Sequence, residues 1–336
     1  MLSLSVLDLS PVRSGSTPAE AIEETVALAK VADRLGYGRY WVAEHHSMRA
    51  FAGASPEILI AAMARETSRI RLGSGGVMLV NHSPLHVAEQ FMTLEALAPG
   101  RIDLGVGRAL GADARTGGAL RSAGSEAFPQ YFALLSDWLM QAAGVQAMDE
   151  RHPARGIVAQ PAGPHAPELF LLCSSADSAA QAGELGVGMV FAEFIAANSP
   201  VPAEARDVVA AYRAAFRPSP LRAEPWAGVG LGALAADTDE EARRLDGPRR
   251  AWTVDFHSGR PGEFPTLEAA PALLAAAPPA LLALADRRST VGDGASVRAR
   301  LADKLADSAA DALFVINFAP TFEARVRSLE LMAGLA

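Results

Sequence analysis

The sequence predicts an α/β fold, a single (β/α)8 TIM barrel with insertions at the carboxyl-terminal face. Short apolar runs rich in β-branched residues alternate with longer segments of helical periodicity, and this alternation is typical of parallel βα units. Eight such units follow one another without a change in composition, which favours a closed barrel over an open sheet. One barrel often takes ~250 residues or more. We therefore assign residues 1–336 to one domain.

The first four predicted units occupy residues 4–142. Turn and capping residues set their limits: Pro18 suits the first turn of the first helix, and Gly36 ends that helix. An apolar stripe identifies each helix, as where Tyr131, Leu135 and Trp138 fall on one face of the fourth. The predicted strands are residues 4–9, 40–43, 70–75 and 102–106, and the helices are residues 18–35, 56–67, 85–97 and 126–142.

Two irregular stretches interrupt the last four units. Residues 149–167 form an excursion rich in proline, glycine and histidine. Residues 247–288 are broken by proline and glycine and contain Trp252, Phe256 and Phe264, so we expect a lid over the barrel mouth there. The predicted strands are residues 169–173, 187–191, 227–234 and 312–318, and the helices are residues 176–185, 202–216 and 293–305.

Composition excludes several classes of protein. The chain is 50% hydrophobic and 20% charged, which is typical of a folded globular protein. Its formal net charge of -8 predicts no nucleic-acid partner. A single cysteine, Cys173, excludes an intrachain disulfide, a zinc finger and an iron–sulfur cluster, and its place in or beside a buried strand indicates a packing role. No membrane span and no signal peptide are recognised, so we expect a cytoplasmic protein without a membrane partner.

Active sites of such barrels lie at the carboxyl ends of the strands, so the residues after each run are the candidates. Glu44, His45 and His46 follow the second predicted strand. A histidine there can exchange a proton near neutral pH, and the alternative is an imidazole that only hydrogen-bonds to a neighbouring loop. His82 and His86 are four residues apart, but no glutamate follows the first of them, so no metal ligands are predicted.

Three further strand ends have residue types that suit a flat ring and an anion. Gly75 and Gly76 would let the backbone lie flat against a planar ligand, or would form a plain turn. Arg108 could bind a phosphate through two hydrogen bonds, whereas the glycines before it lack the spacing of a dinucleotide fingerprint. Ser175 and Ser178 open a predicted helix whose backbone N–H groups favour an anion, and an ordinary N-cap is the alternative.

Together these strand ends resemble those of the bacterial luciferase-like monooxygenase family, whose members are flavin-dependent (β/α)8 barrels. The likeness covers residues 4 to about 318, nearly the whole chain. The resemblance rests on four sequence segments, which in combination are specific to this family. The similar segments are YWVAEHH at residues 40–46, RIRLGSGGV at residues 69–77, GRIDLGVGR at residues 100–108 and TVGDG at residues 290–294.

The resemblance implies roles for individual residues. It makes His45 the catalytic histidine and Arg108 the residue that holds the FMN phosphate. It places a cis peptide bond, Gly75–Gly76, against the flavin, with Gly107 beside the ring. The other phosphate contacts fall at the start of the helix after the fifth strand, at Ser175, Ala176 and Ser178.

By the same resemblance, we expect a two-component monooxygenase. Reduced FMN from a separate flavin reductase would react with O2 to form a flavin peroxide, which would oxygenate a small organic molecule, with a bulky polyketide-like natural product as the expected class. Gly107 and Glu193 replace a cysteine and a tryptophan of luciferase itself, so light emission is not expected. A homodimer through the second and third helices is expected. The alternatives are a deazaflavin-dependent dehydrogenase, a non-catalytic flavin-binding subunit and a metal-dependent hydrolase.

Overall fold

The protein contains a closed parallel barrel with one additional strand at its edge. The computed structural model describes residues 2–152, 154–197, 199, 202–287 and 289–334. The strands are β1 (Leu4–Asp8), β2 (Arg39–Val42), β3 (Arg71–Met78), β4 (Ile102–Gly107), β5 (Glu168–Cys173), β6 (Gly188–Ala192), β7 (Ala227–Ala236), β8 (Ser289–Asp293) and β9 (Ala312–Ile316). Each strand from β1 to β7 pairs in parallel with the next, and β9 pairs with both β7 and β1, which closes the barrel. β8 extends the sheet beyond β7.

Helices connect the strands and cover the outside of the barrel. They are α1 (Pro18–Leu35), α2 (Pro56–Glu66), α3 (Pro84–Leu97), α4 (Ala114–Ala119), α5 (Phe128–Ala142), α6 (Ala176–Glu184), α7 (Glu193–Ala196), α8 (Ala205–Ala215), α9 (Asp239–His257), α10 (Ala270–Ala275), α11 (Pro279–Ala285), α12 (Gly294–Ser308) and α13 (Phe322–Ala333). Short 3-10 turns span Leu79–Asn81 and Ser125–Ala127. Within the described residues, no helix is long and apolar enough to cross a membrane.

Buried side chains form two layers, one between the strands and the helices and one inside the barrel. The inner layer is aromatic at its centre, where the Trp41 ring lies 5.0 Å from that of Phe170 and 4.5 Å from that of Phe314. Leu7 and Val190 complete this layer from β1 and β6. The space towards the carboxyl ends of the strands is therefore closed off from below by large apolar side chains.

The predicted barrel is confirmed, with strand and helix ends that differ by a few residues. β3 continues to Met78, past the predicted end at residue 75, because it keeps pairing with β4 beyond a register shift between Gly75 and Val77. The helix predicted at residues 202–216 begins at Ala205, and that predicted at residues 293–305 spans Gly294–Ser308. These differences do not change which strand ends meet at the barrel mouth.

The predicted insertion at residues 247–288 begins later than expected, because α9 continues to His257. Gly247 and Pro248 both disfavour helix, but both are buried in α9. A Cβ on Gly247 would lie 3.4 Å from Ala270 Cβ, which is ordinary van der Waals contact, so α10 packs directly against α9 at this position. Packing thus outweighs local propensity. The remainder of the insertion contains α10 and α11, and Arg288 at its predicted end lies outside the described residues.

Several elements are not predicted from the sequence: α4, α7, α9, β8 and α13, together with α10 and α11 inside the insertion. β8 is only five residues long and mostly half-buried, so its apolar signal is weak. α13 follows the last barrel strand and packs Leu329 and Met332 into the core. α4 lies in the glycine-rich loop after β4, where two of its six residues are glycine.

Candidate functional site

A cavity of about 410 Å³ opens at the carboxyl ends of the barrel strands. It is lined by five of the residues that the sequence analysis selects: His45, Gly75, Gly107, Arg108 and Ser178. Gly76 and Ser175 are adjacent in the chain to lining residues, and Ala176 lies two residues from Ser174 and from Ser178, but none of the three lines the cavity. The structure therefore brings the predicted strand ends to one place.

Backbone rather than side chains forms one wall of the cavity. The peptide bond Gly75–Gly76 is cis, as the family resemblance implies. A Cβ on Gly75 would lie 2.6 Å from Leu7 Cδ1, and a Cβ on Gly76 would lie 2.6 Å from the Gly105 carbonyl oxygen. Real Cβ atoms essentially never come closer than 3.0 Å to such neighbours. Glycine is therefore required at Gly76, and at Gly75 it keeps the wall flat.

His45 lines the cavity three residues beyond the end of β2. Its backbone N–H donates to the Gly53 carbonyl oxygen at 2.8 Å, and its ring centroid lies 5.0 Å from that of Phe51. Burial lowers the pKa of His45 to about 4, against the opposing effect of the Glu44 carboxylate. Within the described residues, its buried Nδ1 has no hydrogen-bond partner. The ring is therefore neutral at pH 7 and keeps one nitrogen available to a ligand.

A buried carboxylate lies behind His45. One oxygen of Glu44 accepts hydrogen bonds from His46 Nε2 at 2.7 Å and His82 Nε2 at 2.8 Å, and the other accepts from the Met78 N–H at 2.8 Å. Burial acts to raise the pKa of Glu44, but the hydrogen bonds from His82, His46 and Met78 outweigh it and leave the pKa below its usual value. The sequence analysis selects Glu44 as part of a motif but does not predict these partners.

The polar end of the cavity combines an arginine with a helix N-terminus. Arg108 is exposed where β4 ends, and Ser178 lies in the first turn of α6. Ser175 caps α6: its hydroxyl accepts from the Ser178 N–H at 3.3 Å, and the Ser178 hydroxyl accepts from the Ser175 N–H at 3.2 Å. The two serines thus form a capping box at the positive end of the helix dipole, and Ser174 and Ser178 at this end line the same cavity as Arg108.

Apolar side chains line most of the rest of the cavity, which also includes the polar side chains of Ser125, Ser174 and Gln181. Leu9, Phe194 and Ile195 lie on its wall, and the exposed fraction of Ile195 is 52%. The indole N–H of Trp41 donates to Asp103 at 2.9 Å, so the only polar atom of that side chain is already hydrogen-bonded. Among the described lining residues, Arg108 is the only side chain with a charge at pH 7.

Two other residues singled out in the sequence, Cys173 and Glu193, are held in structural contacts. Cys173 lines the cavity but is buried, and burial raises the pKa of its thiol to about 12, which agrees with a packing role. Glu193, in the position of a luciferase tryptophan, does not line the cavity: its carboxylate accepts a hydrogen bond from Lys304 Nζ at 2.8 Å. The next two residues, Phe194 and Ile195, line the cavity instead. No metal-binding group of three or more His, Cys, Asp or Glu side chains occurs in the described part of the chain.

Comparisons with known proteins agree with one another. A family model described as luciferase-like monooxygenase matches residues 2–312. A luciferase-like monooxygenase of Escherichia coli (strain K12) is 37% identical over 98% of this chain and 96% of its own. The N-acetyl-S-alkylcysteine monooxygenase of Bacillus subtilis (strain 168) is 37% identical over 82% of this chain and 80% of its own. The crystal structure of apo-MsnO8 has a TM-score of 0.89 at 36% identity and covers 100% of this chain and 98% of that one.

Proposed function

The chain belongs to the luciferase-like monooxygenase family, and on that premise we propose that it is a two-component monooxygenase that uses O2 and reduced FMN. A separate flavin reductase delivers the reduced FMN. The observation that carries this proposal is one cavity with a flat glycine wall, a neutral histidine and a polar end at Arg108. When bound, reduced FMN would supply the electrons that activate O2.

The residues of the cavity fit such a cofactor. Arg108 and the N-terminus of α6 would hold the phosphate, because a guanidinium and free backbone N–H groups both favour an anion. The wall at Gly75 and Gly107 would accept the flat ring, since a Cβ at Gly75 would contact Leu7. The volume of about 410 Å³ lies within the roughly 300–1,000 Å³ usual for ligand sites.

His45 would act as a neutral hydrogen-bonding group at the reacting end of the site. Because burial lowers its pKa to about 4, it is not a cation at pH 7. It can donate one N–H and accept a proton at the other nitrogen. The aromatic side chains Phe51, Trp252, Phe264 and Phe318 pack together beside it and exclude water from that side.

The proposed substrate is a bulky, neutral, polyketide-like natural product. Apolar side chains dominate the cavity wall, and in the described residues Arg108 is its only charged side chain at pH 7. A buried charge on the substrate would find no second partner there, which disfavours anionic substrates beyond the cofactor phosphate. The residues at 258–287, with Phe264 in the aromatic cluster, are proposed as the lid of this single-domain protein.

We also propose a cytoplasmic homodimer that associates through α2 and α3. Ile58 on α2 and Leu97 on α3 have exposed fractions of 66% and 47%. A second copy could cover exposed apolar side chains of this size, and the family resemblance implies an interface on these two helices. Sedimentation that shows only a monomer at micromolar concentration would contradict this part of the proposal.

An anaerobic titration with photoreduced FMN tests the proposed function. We expect saturable binding, followed by slower reoxidation of the bound flavin than of free flavin when oxygenated buffer is added. Arg108→Ala should weaken binding by roughly 1.5–3 kcal/mol, the usual contribution of a charge-assisted hydrogen bond. Arg115→Ala is the matched control, since Arg115 is an exposed arginine outside the cavity lining.

The same titration separates the alternatives. Tight binding of reduced deazaflavin with no binding of reduced FMN would replace the oxygenase with a deazaflavin-dependent dehydrogenase. Binding of FMN with unchanged reoxidation, and no product from any substrate, would indicate a non-catalytic flavin-binding subunit. Loss of activity on chelation would favour a metal-dependent hydrolase.

A further inference from the structure

Glu44 joins the carboxyl ends of neighbouring barrel strands behind the cavity. Its side chain is fully buried, yet both carboxylate oxygens accept hydrogen bonds, from His46, His82 and Met78. These donors lie on three segments. His46 lies in the loop after β2, His82 ends the 3-10 turn that precedes α3, and Met78 is the last residue of β3. A buried carboxylate is costly unless it is well bonded, so replacing it would release more than one of these segments.

The ends of β3 and β4 depend on the same contacts. Met78 lines the cavity, and a Cβ on Gly107 would lie 3.1 Å from Met78 Cε. The backbone N–H of His46 donates to the Gly111 carbonyl oxygen at 3.0 Å, which ties the loop after β2 to the loop after β4. Glu44 is thus the central acceptor in a set of contacts that surrounds one side of the site.

We propose that Glu44 is a positioning residue, which fixes His45 and the Met78 end of β3 on the cavity wall. The side chain of Glu44 does not line the cavity, so it acts through these neighbours. The inference rests on the proposed function only where it gives His45 a part in the reaction. The position of the His45 ring can be measured in the protein without flavin.

His82 is one of the hydrogen-bond partners of this carboxylate. Its hydrogen bond to Glu44 raises the pKa of His82 above the ordinary value, although partial burial opposes this. Glu57 on α2 also favours the charged imidazole. The contact between His82 and Glu44 therefore favours opposite charges on these two side chains, while the His45 ring lies beside Phe51.

Histidine-ring NMR titration of the full-length protein tests the proposal. In Glu44→Gln, the amide cannot accept from Met78 and from both imidazoles, so the ring of His45 should move into water. Its pKa should rise from about 4 towards 6.5. If Glu44 acts only through its charge, the pKa should fall further, because a nearby carboxylate favours the protonated ring. A fall, or no change, overturns the proposal.

Substitutions at His82 provide a second test in case Glu44→Gln does not fold. His82→Leu removes one donor, and it should raise the pKa of His45 in the same direction by a smaller amount. His82→Gln restores a neutral donor and should return the pKa of His45 to the wild-type value. His86→Gln is the control, because His86 is a largely exposed histidine on α3. Equal effects of His82→Leu and His86→Gln would contradict the proposal.

Binding of reduced FMN connects the positioning role to the proposed function. A displaced wall should weaken the affinity of Glu44→Gln for reduced FMN by roughly tenfold, which corresponds to a loss of about 1.4 kcal/mol of binding free energy. If the wild-type protein does not bind reduced FMN, the proposed function fails while the NMR titration still decides the role of Glu44. If the wild-type protein binds it and Glu44→Gln binds equally well, the positioning role is wrong.

Discussion

Gly76→Ala tests the close packing of β3 on β4 behind the cavity wall without changing a charge. The new Cβ would lie 2.6 Å from the Gly105 carbonyl oxygen and 3.1 Å from Leu172 Cδ1. The carbonyl oxygen belongs to the backbone of β4 and cannot rotate away, so β3 and β4 must separate locally. Overpacking of this kind costs about 1–3 kcal/mol. With 336 residues and an unfolding entropy of about 2.1 cal/mol/K per residue, a loss of about 3 kcal/mol lowers the melting temperature by about 4 °C.

Gly75→Ala is the variant to compare with Gly76→Ala, because the clash at residue 75 is with a side chain and not with the backbone. Its Cβ would meet Leu7 Cδ1 at 2.6 Å, and this atom is the end of a flexible side chain that can turn aside. The melting temperature should therefore fall less than in Gly76→Ala, whereas the affinity for reduced FMN should fall because Gly75 lines the cavity.

Circular dichroism melting and anaerobic FMN titration measure the two effects separately. Gly118→Ala is the control, because a Cβ there has nothing within 4 Å and Gly118 lies in α4. It should leave the melting temperature unchanged or slightly higher. The reasoning would be refuted if Gly76→Ala melted at the same temperature as the wild type, or if the melting temperature fell more in Gly75→Ala than in Gly76→Ala.

Two further predictions concern His45 and Ile195. Burial lowers the pKa of His45 from 6.5 to about 4, so on acidification the unfolded state binds a proton at a higher pH than the folded state does. The free energy of unfolding should therefore fall by up to about 3 kcal/mol as the pH is lowered from about 6.5 to about 4. Urea midpoints of wild type and His45→Gln at both pH values check this, and an equal loss in the two proteins would exclude His45 as the cause. Ile195→Asp, at a site 52% exposed on the cavity wall, should fold normally but should weaken binding of the neutral probe 2-acetylnaphthalene about tenfold or more. Leu185→Asp, 46% exposed and outside the cavity lining, is its control in a fluorescence titration, and equal affinities of the two variants would contradict the prediction.

The barrel could be predicted because its strands and helices have distinct periodicities along the chain. Buried strands such as β4 and β9 are short apolar runs, and their order alone implies a closed parallel sheet. The helix breakers at the start of residues 247–288 mislead because the packing of α9 against α10 and α11, which keeps this segment helical, is not visible in the local sequence. β8 could not be predicted from five half-buried residues, since its pairing with β7 is a long-range contact.

The site could be predicted in part because barrel geometry gathers the residues that follow the strands. His45, Gly75 and Arg108 line the same cavity for that reason. The sequence could not show that Glu44 bonds to His82, because 38 residues separate them. Nor could it show that Glu193 pairs with Lys304 while Phe194 lines the cavity, since a side chain's direction at a strand end depends on the local backbone.

The apolar floor of the cavity depends on charged groups on its opposite side. Asp103 is completely buried and accepts from the Trp41 indole N–H at 2.9 Å and from Arg71 Nε at 2.9 Å, and Arg39 also donates to it. A Cβ on Gly73 would lie 2.7 Å from Trp41 Nε1, so the glycine makes room for this contact. Because Asp103 satisfies the indole from below, Trp41 can present its carbon atoms to the cavity without leaving a buried polar atom unpaired. The floor remains apolar because its polar group is bonded elsewhere, and a neutral, apolar substrate is the kind of molecule that such a floor accommodates.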